Sequence, residues 1–209
     1  MKTDDAPTLQ TLILDRIHQH GPDWAFGPFD FNDIADPRAV AVTLGRMVNA
    51  GLIRRISHGL YDKPHAHPIL GQVGSGPDAL VQAIARKRKL RVLPSTSLAA
   101  NQLGLTTQVP AQLVYHTDGA ASTFQSGALT IQFKRNSGKL LSLANSPTGW
   151  VVQGLRAFGK DGVRPDHIRT LRRKLDSSAK RRLLAEQSAA PAWMRPHLTA
   201  IASEEAPDA

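Results

Sequence analysis

Asp36-Pro37-Arg38-Ala39-Val40-Ala41-Val42-Thr43-Leu44-Gly45-Arg46-Met47-Val48-Asn49, followed by Ala50-Gly51-Leu52-Ile53-Arg54-Arg55-Ile56-Ser57-His58-Gly59-Leu60-Tyr61, is the segment on which the architecture turns. Asp36 is a good helix N-cap, because a short carboxylate can accept from the unpaired amides of the first turn. Proline at the next position has the right φ and no amide to leave unsatisfied. A helix is therefore expected from Pro37 to about Ala50. Val40, Leu44, Met47 and Val48 form its buried stripe, and Gly51 ends it. Leu52 to Ile56 reads as a short strand, Ser57-His58-Gly59 as a tight turn, and Leu60-Tyr61 as the returning strand.

Upstream, Leu9, Leu12, Ile13 and Ile17 fall on one helical face, with Gly21 as a stop. Phe26-Gly27-Pro28 reads as a turn, and a second short helix is expected over Phe29–Ala35. This order is that of a winged helix-turn-helix. The helix beginning at Pro37 takes the recognition position, and the Arg54–Tyr61 hairpin is the wing. The outer side of the helix should present Arg38, Ala41, Val42, Gly45, Arg46 and Asn49. Arginine and asparagine are the types that pair with guanine and adenine edges in the major groove. Arg54, Arg55 and His58 on the wing are placed to grip the phosphate backbone or enter the minor groove. Winged helices also serve as protein-docking modules, which leaves a non-DNA use open.

Downstream, residues 62–77 (DKPHAHPILGQVGSGP) are rich in Pro, Gly and His and read as a linker with one apolar pair, Ile69-Leu70. His65 and His67 lack a third ligand for a metal. Gly71, Gly74 and Gly76 are not followed by the Gly-Lys-Ser/Thr of a phosphate loop. A second unit then mixes helix and strand. Helices are expected over Asp78–Arg88 and Thr96–Leu103, and strands over Leu90–Leu93, Gln112–Thr117 and Ala128–Arg135. Further helices begin at Pro147, Pro165, Asp176 and Pro191. The expected fold class is α+β: a winged helix-turn-helix at 1–68, a linker at 69–77, a mixed α/β and helical unit at 78–203, and a disordered tail at 204–209.

The chain has 209 residues, no cysteine and a formal net charge of +9. Absence of cysteine excludes disulfide scaffolds, thiol nucleophiles and Cys-ligated zinc. MKTDDAPTLQ lacks the apolar core of a signal peptide, and no apolar run approaches the ~20 residues of a membrane helix, so a cytoplasmic protein away from membranes is expected. The charge is uneven. Residues 1–70 hold 7 Lys+Arg against 8 Asp+Glu, whereas 71–209 hold 19 against 9. The excess gathers in Arg86–Arg91 and in 164–182, where Arg169, Arg172, Arg173, Lys180, Arg181 and Arg182 form a basic strip. Arg172, Arg173, Arg181 and Arg182 are candidates for phosphate contacts flanking the winged-helix site.

Catalytic constellations are poor. A strand-borne metal nuclease needs a second carboxylate two residues before its lysine. Here Asp118 is followed by Gln132-Phe133-Lys134, and an uncharged amide binds Mg²⁺ weakly. Thr106, Thr107 and Gln108 before Pro110 suit turn capping, with hydrogen bonds to a phosphate or base edge as the alternative, and Tyr115 suits a half-buried core position. No enzyme, cofactor or metal is expected.

Several segments together carry a family resemblance. In the first unit they are Leu44-x-x-Met47-Val48-x-x-Gly51-Leu52-Ile53-x-Arg55-Ile56-x-x-Gly59-Leu60-Tyr61. In the second they are Arg91-Val92-Leu93-Pro94, Leu103-Gly104-Leu105-Thr106-Thr107-Gln108-Val109-Pro110, Tyr115-x-Thr117-Asp118-Gly119, Ile131-x-Phe133-Lys134 and Ala190-Pro191-Ala192-Trp193-Met194. The chain resembles the AbiEi-like antitoxins of type IV toxin–antitoxin systems, in their short branch with an N-terminal winged helix. The resemblance spans residues 10–198. It implies a transcriptional repressor that binds double-stranded DNA at its own promoter and opposes a nucleotidyltransferase toxin without a stable complex. The alternative is a non-enzymatic interaction protein whose basic C-terminal unit binds RNA or an acidic protein.

Overall fold

The computed structural model describes residues 7–69 and 71–203. Leu70 of the expected apolar pair and the expected tail at 204–209 lie outside the described residues. The chain is α+β and divides into two compact units, with the boundary between Leu90 and Arg91.

The first unit opens with α1 (Leu9–His20), whose first turn is capped by the Thr8 hydroxyl accepting from the Thr11 amide at 3.2 Å. A two-residue strand, β1 (Ala25–Phe26), stands where a turn is expected from sequence. The second helix is only a 3₁₀ turn, Pro28–Phe31, not a helix to Ala35. Arg16 secures α1 to the segment after this turn. Its two terminal nitrogens donate to the Asp33 oxygens at 2.6 and 2.7 Å, and Nη1 also donates to the Asp30 carbonyl. The Arg16 hydrogen bond holds the Asp33 carboxyl down at about 2.

Next comes α2 (Pro37–Asn49), capped by the Asp36 carboxylate, which accepts from the Arg38 and Ala39 amides. Gly51 follows at φ +71°, a left-handed conformation that glycine takes without steric cost. β2 (Arg54–Ser57) and β3 (Leu60–Asp62) form the hairpin, and β1 pairs with β3, giving a three-stranded antiparallel sheet in the order β1-β3-β2. Ile13, Ile17, Phe26, Phe31, Val40, Leu44, Met47, Ile53 and Tyr61 build the core beneath. Phe26 and Phe31 meet edge to face with centroids 5.8 Å apart.

The segment read as a linker is ordered structure. β4 (His65–His67) and β5 (Gly71–Val73) pair antiparallel. The following helix, α3 (Pro77–Arg88), belongs to the first unit, which moves the boundary from 77/78 to 90/91. α3 buries Leu80, Val81, Ala83, Ile84 and Ala85, and two cations of the basic cluster add ties to the rest of the unit. Arg86 Nε donates to Asp30 Oδ1 at 2.8 Å and Arg86 Nη2 to the Ala25 carbonyl at 2.7 Å, while Lys87 Nζ donates to the His58 carbonyl at 2.7 Å. These bonds tie α3 to the 3₁₀ turn, to β1 and to the hairpin tip.

The second unit is built on a four-stranded sheet of β6 (Val92–Pro94), β7 (Leu113–Thr117), β8 (Ser122–Ser126) and β9 (Leu129–Arg135), in the order β6-β7-β9-β8. β7 and β9 run parallel, with Tyr115 opposite Phe133, and the outer strands are antiparallel. β8 pairs as a hairpin with β9 and has no counterpart in the sequence reading. Around the sheet lie α4 (Thr96–Gln102), α5 (Pro147–Arg156), α6 (Pro165–Lys174), α7 (Ser177–Glu186) and α8 (Arg195–Ala202). Leu103, Leu143, Val151, Leu155, Leu171, Leu183, Met194 and Leu198 close the helical core, with Ile168 and Leu175 packed at its margin. Tyr115 is fully buried rather than half-buried, between Phe133 and Trp150. No helix among the described residues is long and apolar enough to cross a membrane.

Candidate nucleic-acid interface

The buried stripe of α2 leaves its other side outward. Arg38, Ala41, Val42, Arg46 and Asn49 are all exposed, and Gly45 lies between them at intermediate burial. Val42 keeps 49% of its surface in solvent. The face thus combines an apolar centre with an amide and two guanidinium groups. That chemistry suits base edges: Val42 can meet a thymine methyl, while Arg46 and Asn49 can make paired hydrogen bonds to purines.

The hairpin presents only part of what is expected of it. Arg55 is exposed, with its guanidinium carbon 5.9 Å from the Tyr61 ring centroid and Nη2 3.4 Å from His58 Nδ1. His58 stands exposed at the turn, its carbonyl already held by Lys87. Arg54 is engaged inside the unit. Its Nε and Nη2 donate to the two oxygens of Asp62, at 3.1 and 2.7 Å, and the Asp62 side chain is wholly buried. The hydrogen bond that Arg54 donates to Asp62 raises the pKa of Arg54 further. Arg54 therefore secures the hairpin and does not offer a whole guanidinium to a phosphate. Lys87, which sequence reading placed in the other unit, stands at the hairpin tip instead; burial, and then Arg88, lower its pKa.

In the second unit the expected basic strip splits by role. Arg173 and Arg181 are exposed. Arg172 donates from Nε and Nη2 to the Ala200 carbonyl at 3.2 and 2.7 Å, tying α6 to the end of α8. Arg182 lies 3.4 Å from Glu186 one turn along α7. The strip offers fewer unengaged charges than its composition implies.

The remaining motifs have local explanations. Thr106 Oγ1 accepts from the Gln108 amide, and Asn101 Nδ2 donates to the Gln108 carbonyl, so this segment caps its own turn. Asp118 accepts from the Arg91 amide at 2.9 Å and from Arg91 Nε at 2.8 Å, and that Arg91 hydrogen bond lowers its pKa. Among the described residues no group of three His, Asp or Glu converges on a metal-sized space. His65 and His67 stand on β4, and His67 Nδ1 accepts from the Ile69 amide.

A family model described as a family of unknown function, DUF6088, matches residues 13–183. The chain belongs to the DUF6088 family. No curated protein matches it. The matched stretch of this DUF6088 chain includes the α2 face, the hairpin and the sheet of the second unit, whereas Glu186 and the Ala200 carbonyl that Arg172 holds lie beyond it.

Proposed function

We propose that the protein is a cytoplasmic, non-enzymatic DNA-binding regulator that represses its own operon in the manner of the AbiEi-like antitoxins it resembles. In this reading the first unit works as a winged helix-turn-helix. α2 enters the major groove, Val42, Arg46 and Asn49 read base edges, and Arg38 sits where it can reach a phosphate. Arg55 and His58 clasp the neighbouring backbone. The observation that carries the reading is the uncovered outer side of α2, with Val42 half in solvent one turn from Arg38 and from Arg46 and with Asn49 exposed at the helix end. The functional partner is a nucleotidyltransferase toxin encoded alongside, whose action the protein opposes without a lasting complex.

The test is retardation of the DNA upstream of its own gene at physiological salt. Sequence-selective binding that falls with Arg46→Ala supports the reading. Equal, weak binding to every duplex defeats it. Exposed Arg169, Arg173 and Arg181 in the second unit favour one second reading, an RNA or acidic-protein binder. Tight RNA or protein binding without any DNA shift would select it.

A further inference from the structure

The carboxyl ends of the parallel strands β7 and β9 open onto a crevice of about 630 Å³, lined by Arg91, Asp118, Arg135, Lys139, Ser142 and Ser188 among others. A second cleft of about 450 Å³ shares Asn136, Gly138, Lys139 and Leu141 with it and is bordered by His116 and Arg156. Both lie wholly within the second unit. The segment between them is pinned. The Asn136 amide donates to the Thr117 carbonyl at 2.8 Å, and Asn136 Oδ1 accepts from the Gly138 amide at 2.7 Å. Lys139 then begins a 3₁₀ turn, so its stem leaves a fixed backbone.

The charges here are unbalanced. Asp118 is the one carboxylate lining either cleft, and Arg91 already holds it. Arg135 and Lys139 have no acidic partner among the described residues. Arg156 is positioned through a buried relay. Gln153, 2% exposed, donates to the Pro94 carbonyl at 2.6 Å and accepts from Arg156 Nη1 at 3.0 Å. A buried amide that orients an arginine toward an open cleft is the support a binding site needs. The positive field is concentrated: after burial, Lys134 and then Arg156 lower the pKa of His116 between them. No Phe, Tyr or Trp lines either cleft, so the surroundings suit a phosphoryl group better than a stacked base.

We propose that the two adjoining clefts form a binding site for a terminal phosphate, with Lys139 common to both, Arg135 in the first and Arg156 in the second as its anion contacts. Free nucleoside polyphosphates and the phosphorylated end of a nucleic acid both supply that chemistry. The site goes beyond the regulator reading and does not use α2.

The test is calorimetric titration of the full chain with pyrophosphate, ATP, and a single-stranded oligonucleotide with and without a 5′ phosphate. Saturable binding of pyrophosphate and ATP identifies a free phosphorylated ligand. Binding of the oligonucleotide only when phosphorylated identifies a nucleic-acid end. In either case Arg135→Ala combined with Lys139→Ala weakens binding at least about ten-fold, and Arg156→Gln weakens it with folding intact by circular dichroism. Lys89→Ala combined with Lys160→Ala removes the same charge from exposed positions outside the clefts and leaves binding unchanged. Three results overturn the site: no saturable binding by any probe, oligonucleotide binding indifferent to its phosphate, or equal loss in the Lys89/Lys160 control.

Discussion

Arg54 stands opposite Asp62 on paired strands and clamps it with two bonds, Nε to Oδ1 at 3.1 Å and Nη2 to Oδ2 at 2.7 Å. The carboxylate is fully buried while about half of the arginine side chain remains in solvent. Removing the arginine leaves a buried charge with the Ser75 amide as its remaining donor. Arg54→Ala should therefore cost about 2–3 kcal/mol in denaturant unfolding, below the roughly 3–5 kcal/mol of a pair buried on both sides. Adding Asp62→Ala to Arg54→Ala should recover part of the loss. A strictly additive double variant would show that the two residues are not coupled.

The same pair explains a glycine-rich stretch that superficially resembles a phosphate loop. A Cβ on Gly74 would lie 1.9 Å from Arg54 Nη2 and 2.4 Å from Asp62 Oδ2. The backbone passes directly over the ion pair, and the next amide, of Ser75, donates to Asp62 at 2.9 Å. Gly74→Ala must push the pair apart, so it should lower the unfolding midpoint, whereas Gly76→Ala, with nothing within 4 Å, should not. Thermal melts of the two variants side by side provide the comparison. Equal melts would remove Gly74 from any structural role.

On α2, outward side chains contribute little to the core, so their loss should be felt in recognition and not in stability. Arg46→Ala and Asn49→Ala are each expected to cost about 1–3 kcal/mol on the preferred site and less on other sequences, which compresses the specificity ratio. Competition binding against randomised duplexes measures this. A uniform drop across all sequences would make both residues phosphate contacts instead.

His167 is 2% exposed, its Nδ1 accepts from the Arg164 amide, its Nε2 has no partner among the described residues, and its ring lies 4.1 Å from Phe158. Burial lowers its pKa below the ordinary 6.5, with Asp166 opposing and Arg164 assisting. The unfolded chain takes up this proton near pH 6.5 and the folded chain only at lower pH. Stability is thus fully present above 6.5 and declines as pH falls through the window down to the folded-state value. His167→Phe should flatten that part of the stability–pH curve relative to the parent. Parallel curves between pH 7.5 and 5.5 would discard the assignment.

Elements marked by local chemistry were legible from sequence. α2 begins and ends within a residue of its expected limits because Asp36, Pro37 and Gly51 act on their immediate neighbours. β1 and the β4–β5 pair were not legible, since Ala25 is held in β1 by Asp62 far along the chain, and β4 and β5 lie in a Pro-, Gly- and His-rich stretch without apolar alternation. Side-chain roles failed in the same way. Arg54 and Asp62, or Arg86 and Asp30, look like ordinary surface charges until folding brings them together. Nothing local to α3 shows which unit it joins, because Arg86 and Lys87 meet partners 56 and 29 residues away. The Arg135, Lys139 and Arg156 cluster was missed because the three belong to separate elements and form no run.

The basic strip of the second unit offers a sharper separation than a wholesale charge deletion. Arg172 ties α6 to the last turn of α8 through two bonds to the Ala200 carbonyl, whereas Arg173 and Arg181 point into solvent. Hydrogen bonds from a charged donor contribute about 1.5–3 kcal/mol each when intact, and less where solvent competes. Arg172→Ala should therefore lower the unfolding free energy by about 1–2 kcal/mol. Arg173→Ala with Arg181→Ala should leave unfolding unchanged but reduce the slope of log affinity against log salt by up to about two, with equal loss on every sequence. An unchanged salt slope in the double variant would place these arginines outside the nucleic-acid contact and leave α2 and its hairpin to account for binding.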